Sequence, residues 1–298
     1  WLVLEQARAL IARREVSFAE PDMIFTGRSD ATGYFPNDPG FGTSWGLHNV
    51  GQSGGIADMD MDAPEAWVTS KGDPAQIVVI IDVGVQQDHP DLNQLPGKDL
   101  TGEGGGGGPV NVCDRHGTSV AGCVSAVIDN NQNAIGVAPL CKVASARTFI
   151  SVLDWSGGWT TQASWTVDAL AYAESIGARV TNNSNYYGFT SSAIDFKYAA
   201  TQAAGMIHFT SAGNSASSAL IYPASLPSVN AIAALNRTGA LASFSNFGVG
   251  LDFSAPGDDI YTTHIAGSGG YAAGNWATVD GTSFASPYTA GVAALILS

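Results

Sequence analysis

Along this chain, short runs of β-branched and small apolar residues alternate with longer stretches whose apolar positions recur every three or four residues. The run Ile77-Val78-Val79-Ile80-Ile81 has no polar member. That is the pattern of a strand covered on both faces, and it predicts a strand over Ala75–Ile81. Comparable strands are expected at Lys142–Thr148, Arg179–Asn183, Met206–Thr210 and Val229–Ala234. Between them the period changes to that of helices, near Ala63–Thr69, Gly117–Ile128, Thr161–Ile176 and Ser191–Ala204. A last apolar helix is entered at Ser283 and runs to Ser298. Strands and helices alternating at this spacing predict an α/β fold, a parallel sheet with helices on both faces.

The N-terminal stretch reads differently. Trp1–Arg14 places Leu2, Leu4, Ala7, Leu10 and Ile11 near a helical period, and Glu15–Glu20 reads as extended. Thr26–Phe35 is small, polar and glycine-containing, as expected of a linker open to cleavage. Two glycine-rich stretches mimic functional motifs without their context. Gly51-Gln52-Ser53-Gly54-Gly55 has the nucleophile-elbow spacing but no preceding strand or following helix. Gly102–Gly108 satisfies a dinucleotide-binding pattern but leads to Pro109 instead of a helix, and is expected to be a flexible surface loop.

Composition narrows the class. The 298 residues are 45% hydrophobic, enough for one large core. A net charge of −14 argues against nucleic acid or an anionic membrane as partner. The final apolar stretch is too short for a membrane span and contains Pro287, Tyr288 and Thr289. Cys113, Cys123 and Cys141 allow at most one disulfide. A helix beginning at His116 holds Cys113 and Cys123 beyond bridging distance, which leaves a pair involving Cys141, or none.

The candidate chemistry sits at the ends of these elements. Ser283, in Gly281-Thr282-Ser283-Phe284-Ala285-Ser286-Pro287, lies at a helix N-terminus. There unpaired N–H groups and the helix dipole face any developing negative charge. His116 opens a small-residue helix after Cys113-Asp114-Arg115, and Asp82 closes a buried strand. Asp, His and Ser in this chain order is one of the three orders in which hydrolytic triads occur.

With His89-Pro90-Asp91-Leu92 and Ser211-Ala212-Gly213-Asn214, these segments resemble the subtilisin-like serine proteases from about residue 16 to the end. The resemblance implies a three-layer subtilisin-like fold with a mostly parallel central sheet. It implies a secreted serine endopeptidase in which His116 is the general base, Asp82 orients it, Ser283 attacks and Asn214 helps bind the oxyanion. The different-class alternative is a catalytically silent peptide-binding protein on the same fold. All four chemical residues are present, which favours the enzyme.

The resemblance implies further assignments. Val16–Asp22 is similar to the end of an inhibitory propeptide, so residues 1–25 are expected to be its C-terminal part, 26–35 a linker and 36–298 a C-terminally truncated catalytic domain. Structural calcium is implied at Asp38, Asp91 and Asn130, through hard oxygen ligands. A substrate held in extended form would lie between Ser156-Gly157-Gly158 and Ser184-Asn185-Tyr186. Asn37-Asp38-Pro39 and Trp45-Gly46-Leu47-His48-Asn49 are similar to the kexin-like branch. Even so, Asn183–Ser192 and Ser215–Pro227, the segments expected to wall the specificity pocket, contain no Asp or Glu, so a buried arginine or lysine would find no partner there. An apolar or aromatic residue is therefore expected at the cleaved position. The expected partners are protein or peptide substrates and the chain's own propeptide, around a monomer.

Overall fold

The unbroken apolar runs become the middle strands of one sheet. In the computed structural model, which describes residues 33–154, 156–266 and 272–298, the strands are β1 (Ile77–Asp82), β2 (Gln94–Asp99), β3 (Lys142–Arg147), β4 (Phe149–Ser151), β5 (Trp159–Thr161), β6 (Val180–Asn183), β7 (Ile207–Ser211), β8 (Asn230–Leu235), β9 (Phe253–Pro256), β10 (Ile260–Thr263) and β11 (Trp276–Val279). The helices are α1 (Ala63–Thr69), α2 (His116–Ser125), α3 (Ala163–Ser175), α4 (Ser192–Ala203) and α5 (Thr282–Ile296). Seven strands form the main sheet in the order β2-β3-β1-β6-β7-β8-β9, and every neighbouring pair is parallel. The fold class read from the sequence is the fold observed.

Strand pleating explains the two cores. Val78 and Ile80 point to one face, where they join Trp67 of α1, Val120 and Val124 of α2, and Phe284 and Tyr288 of α5. Val79 and Ile81 point to the other, with Leu170 of α3 and Ile194 and Tyr198 of α4. From β1 the chain leaves in one direction for β2 and β3, then returns on the other side through β6 to β9. The crevice beyond the carboxyl ends of β1 and β6 is thus a topological switch point, where open α/β sheets bind ligands.

The strands that sequence pattern did not predict are short or peripheral. β2 contains Pro96 and Gly97 and is half-exposed at the sheet edge; β9 ends in Pro256 at the other edge. Proline and glycine are tolerated there because an edge strand pairs on one side only. The hairpins β4–β5 and β10–β11 carry too few residues to show a period. The helix expected to reach Ile128 stops at Ser125, where Ala126 turns extended and pairs with Leu92.

Two expectations need correction. Gly102–Gly108 is a shaped turn: Asp99 accepts N–H bonds from Thr101, Gly102 and Gly104, and Gly107 is buried. The compact body begins at Gly33, inside the expected linker. Tyr34 donates its N–H to Pro64 O at 2.8 Å and its phenol to Asp129 Oδ2 at 2.5 Å, and its ring carries the Lys71 ammonium 3.4 Å from its centre. Phe35 packs edge-on against Phe41 and His48. Aromatic residues have anchored what composition read as loose. The expected helix Trp1–Arg14, the extended Glu15–Glu20, the propeptide assignment and linker residues 26–32 lie outside the described residues. All three cysteines are free thiols. Among the described residues no helix is long and apolar enough to cross a membrane.

Candidate active site

Asp82 is the last residue of β1 and is fully buried. A buried carboxylate needs its lone pairs filled. Asp82 Oδ1 accepts the Val83 N–H at 2.8 Å, and both oxygens face His116 Nδ1, at 3.0 and 2.9 Å. His116 is the first residue of α2, and Gly117 after it explains the approach. A Cβ at Gly117 would lie 2.4 Å from Gly84 O and 3.1 Å from Asp82 Oδ1, so only glycine lets the helix start against the strand end. With Nδ1 committed to Asp82, the ring presents Nε2 as its remaining polar edge. Phe284 supports the ring at a centroid distance of 5.7 Å.

Ser283 sits in the first turn of α5, mostly buried, with its hydroxyl donating to Ser184 O at 3.0 Å. Ser283 and His116 line the same cleft, but no hydrogen bond joins them in this state. Catalytic hydrogen bonds are often loose before substrate arrives. Pro287 contributes an unexpected feature. Proline has no N–H, so the carbonyl four residues earlier, that of Ser283, loses its helical donor. Ser184 Oγ supplies one at 2.7 Å, and itself accepts from Asn182 Nδ2 at 2.9 Å. Ser184 and Ser283 therefore exchange two hydrogen bonds, hydroxyl to carbonyl in each direction.

Asn214 follows β7 and is oriented by α5. Its Oδ1 accepts from both the main-chain N–H and the hydroxyl of Thr282, each at 2.9 Å. With the carbonyl end occupied, the amide's N–H₂ end remains for the cleft. Gly281 enters α5 with φ +148, and a Cβ there would stand 3.4 Å from Asn214 Nδ2. The first-turn N–H of Ser283 has no helical acceptor. The Asn214 amide and the Ser283 N–H are thus two donors left without an acceptor in the first turn of the helix or in Thr282.

The cleft, about 550 Å³, is walled by Val152, Gly157, Gly158, Trp159, Tyr186 and Ile221 around His116, Asn214 and Ser283, with Arg115 and Asp280 also in its lining. Gly157 and Gly158 reach it from the β4–β5 turn, as expected. Ser156 is not in the lining; its Oγ accepts the Gly158 N–H and shapes the turn. Ser184, Asn185 and Tyr186 all line the cleft. Tyr186 is half-exposed and meets Trp159 edge-on at 4.7 Å, whereas Tyr187 is buried on Thr166 and Asn183, its phenol pushed by burial up to about 12. Trp159 and Thr282 are site residues that sequence reasoning missed, and Ser184, expected at the cleft, has the further role of donating to Ser283 O. Pro287 in the serine helix was the one available signal, since it announces an orphaned carbonyl.

The expected calcium residues also converge, away from the cleft. Asn130 Nδ2 donates to Asp91 Oδ1 at 2.8 Å, and the main-chain N–H groups of Asp129 and Asn130 donate to Asp38. Asp38 and Asp91 are buried, and burial holds both carboxyls above their usual range, with repulsion from Asp129 and Asp38 respectively adding to it. Neither has a cationic partner among the described ion pairs. No three His, Cys, Asp or Glu side chains cluster for a metal among the described residues. The oxygens that a hard cation would take here are those of the two buried carboxylates and the Asn130 amide; the loop main chain facing Asp38 and Asp91 presents N–H groups, which are not ligands.

Comparison with known proteins follows the same lines. A model of the subtilase family matches residues 73–298. The chain is 33% identical over 283 residues to the thermophilic serine proteinase of Bacillus sp. strain AK1, covering 95% of this chain and 63% of that protein. It is 34% identical over 277 residues to thermitase of Thermoactinomyces vulgaris, covering 89% of this chain and 86% of that one. Among solved structures, a protease from Pseudoalteromonas arctica superimposes with a TM-score of 0.73 at 29% identity, over 88% of this chain and 86% of the other. Matches of this extent, on a parallel sheet that brings Asp82, His116, Asn214 and Ser283 to one edge, place the chain in the subtilase family of serine endopeptidases.

Proposed function

We propose that this chain hydrolyses peptide bonds through Asp82, His116 and Ser283, with Asn214 and the Ser283 N–H receiving the oxyanion. One observation carries the reading: the Asp82–His116 pair and the Asn214 amide are each fixed by hydrogen bonds that leave a single free polar end, and both ends line the cleft that holds Ser283. In the reaction Ser283 turns its hydroxyl from Ser184 O to His116 Nε2. The imidazole takes the proton as Oγ attacks the carbonyl, then gives it to the leaving amine. Water repeats the sequence on the acyl-enzyme. Asp82 stabilises the imidazolium throughout.

Substrates are protein segments in extended form. The walls formed by Val152, Trp159, Tyr186 and Ile221 favour apolar or aromatic side chains, and the nearest carboxylate of the lining, Asp280, directly precedes the Gly281-Thr282-Ser283 turn. A calcium ion held by Asp38, Asp91 and Asn130 would stabilise the folded state by neutralising two buried charges. The kinds of relatives found, which include a cell wall-associated protease of Bacillus subtilis, support action outside the cytoplasm. The propeptide-like Val16–Asp22 supports self-processing by the same triad. The direct test is reaction with a serine-directed phosphonate and mapping of the label. Labelling of Ser283, abolished in His116→Ala, is expected. Hydrolysis persisting in Ser283→Ala would overturn the assignment.

A further inference from the structure

Asn185 lines the cleft, where it was expected, and its side-chain amide is bonded to the end of β1. The residue is 7% exposed. Its Nδ2 lies 3.2 Å from Asp82 Oδ2 and 3.2 Å from Ile81 O, one acceptor for each of its two hydrogens. Its own N–H donates to Asn183 Oδ1 at 3.2 Å, and Asn183 in turn donates to the phenols of Tyr187 and Tyr198. The preceding residue, Ser184, exchanges hydrogen bonds with Ser283. Two consecutive residues after β6 thus reach both ends of the catalytic set.

We infer that Asn185 is a positioning residue for the general base: its amide holds the Asp82 carboxylate in the rotation that faces His116 Nδ1. The inference rests on the proposed triad. Three donors surround this buried carboxylate: Val83 N–H on Oδ1, His116 on both oxygens, and Asn185 on Oδ2. Val83 N–H restrains one oxygen only, and a carboxylate so held can still twist about its Cβ–Cγ bond. The Asn185 bond on the second oxygen fixes the plane, and the bond to Ile81 O fixes Asn185 relative to the same strand. Aspartate in its place would have the same shape and the wrong polarity, presenting an acceptor to an acceptor. Leucine would fill the space and supply no donor.

The other ionisable groups packed around the pair are Tyr187, whose phenol burial keeps neutral, the buried Asp114–Arg147 ion pair whose Arg147 Nε donates to Val83 O, and Cys113, Arg115 and Asp280 on the cleft wall. The Arg147 guanidinium gives its hydrogens to Val83 O, Thr101 and Asp114.

The test compares wild type with Asn185→Leu, Asn185→Ala and Asn185→Asp, each at equal folded concentration as judged by thermal unfolding. Loss of a hydrogen bond to a charged group should lower kcat by about 10- to 100-fold with KM within about two-fold. The acid limb of the pH–rate profile should move upward, because a carboxylate relieved of one donor attracts the imidazolium proton more strongly. Asn185→Asp should be worse than Asn185→Leu. A space-filling role predicts the reverse order, since aspartate is the closer isostere. The inference is overturned if the leucine and alanine variants keep wild-type kcat and pH profile, if the loss lies wholly in KM, or if aspartate outperforms leucine. Phosphonate labelling of wild-type Ser283 is scored separately: its failure would remove the triad reading, whereas unchanged variants of a labelled enzyme remove only the role of Asn185.

Discussion

Pro287 and Ser184 are expected to be energetically coupled, although they lie on different elements. In the wild type the Ser283 carbonyl has no helical donor and depends on Ser184 Oγ at 2.7 Å. Ser184→Ala leaves two buried groups without this partner, the Ser283 carbonyl and the Asn182 amide hydrogen that bonds Ser184 Oγ. At about 1–3 kcal/mol for each unsatisfied group, the substitution should cost roughly 2–4 kcal/mol after partial relaxation. Pro287→Ala restores an N–H four residues after Ser283, so the carbonyl regains a donor in the helix. In that background Ser184→Ala should cost about 1–2 kcal/mol less, because only the Asn182 amide is then unpartnered. The four-corner cycle is measured by urea unfolding in a Ser283→Ala background, which prevents self-digestion and keeps the main-chain carbonyl. Any general effect of removing a helical proline cancels in the coupling term. Strict additivity, with Ser184→Ala costing the same beside proline and beside alanine, would refute the claim that Ser184 replaces the missing helical donor.

Other expected outcomes are simpler to measure. Asn214→Ala should lower turnover by about 10²–10³, a magnitude carried over from a subtilisin oxyanion asparagine, with little change in KM. His208 is buried between Thr181 and Thr201 and burial lowers its pKa from 6.5 to about 4. The neutral ring therefore contributes stability that is complete above pH 6.5 and is lost as pH falls toward 4, about 3 kcal/mol in all. Unfolding curves across that range should slope more steeply for wild type than for His208→Gln, and parallel slopes would contradict it. Calcium at about one hundred times its dissociation constant should stabilise the fold by about 2.7 kcal/mol, chelator should reverse this, and Asp91→Ala should blunt it. Identical melting in calcium and chelator would count against the site. A mixed peptide library should be cut after apolar or aromatic residues, and dominant cleavage at paired basic residues would show that the cleft was misread.

The sequence determined the parallel α/β architecture, because β-branched runs such as Ile77–Ile81 can be buried only between two helix layers. It also singled out Asp82, His116, Asn214 and Ser283 as the candidate chemical residues, since their types, local motifs and chain order are legible without coordinates. It did not disclose the edge strands β2 and β9, where proline and glycine erase the pattern at positions that pair on one side only. Nor could it tell Tyr186 from Tyr187: adjacent strand-end residues point to opposite sides, and only the surrounding packing decided that the first meets Trp159 in the cleft and the second is buried on Thr166 and Asn183. The same holds for Asn185, read as a cleft residue from its place in the chain. It does line the cleft, but its amide answers Asp82, which lies over one hundred residues away in sequence. A side chain's partner across such a distance depends on strand order and register, which put β6 beside β1. Local sequence sets which groups are available; the sheet decides which of them meet.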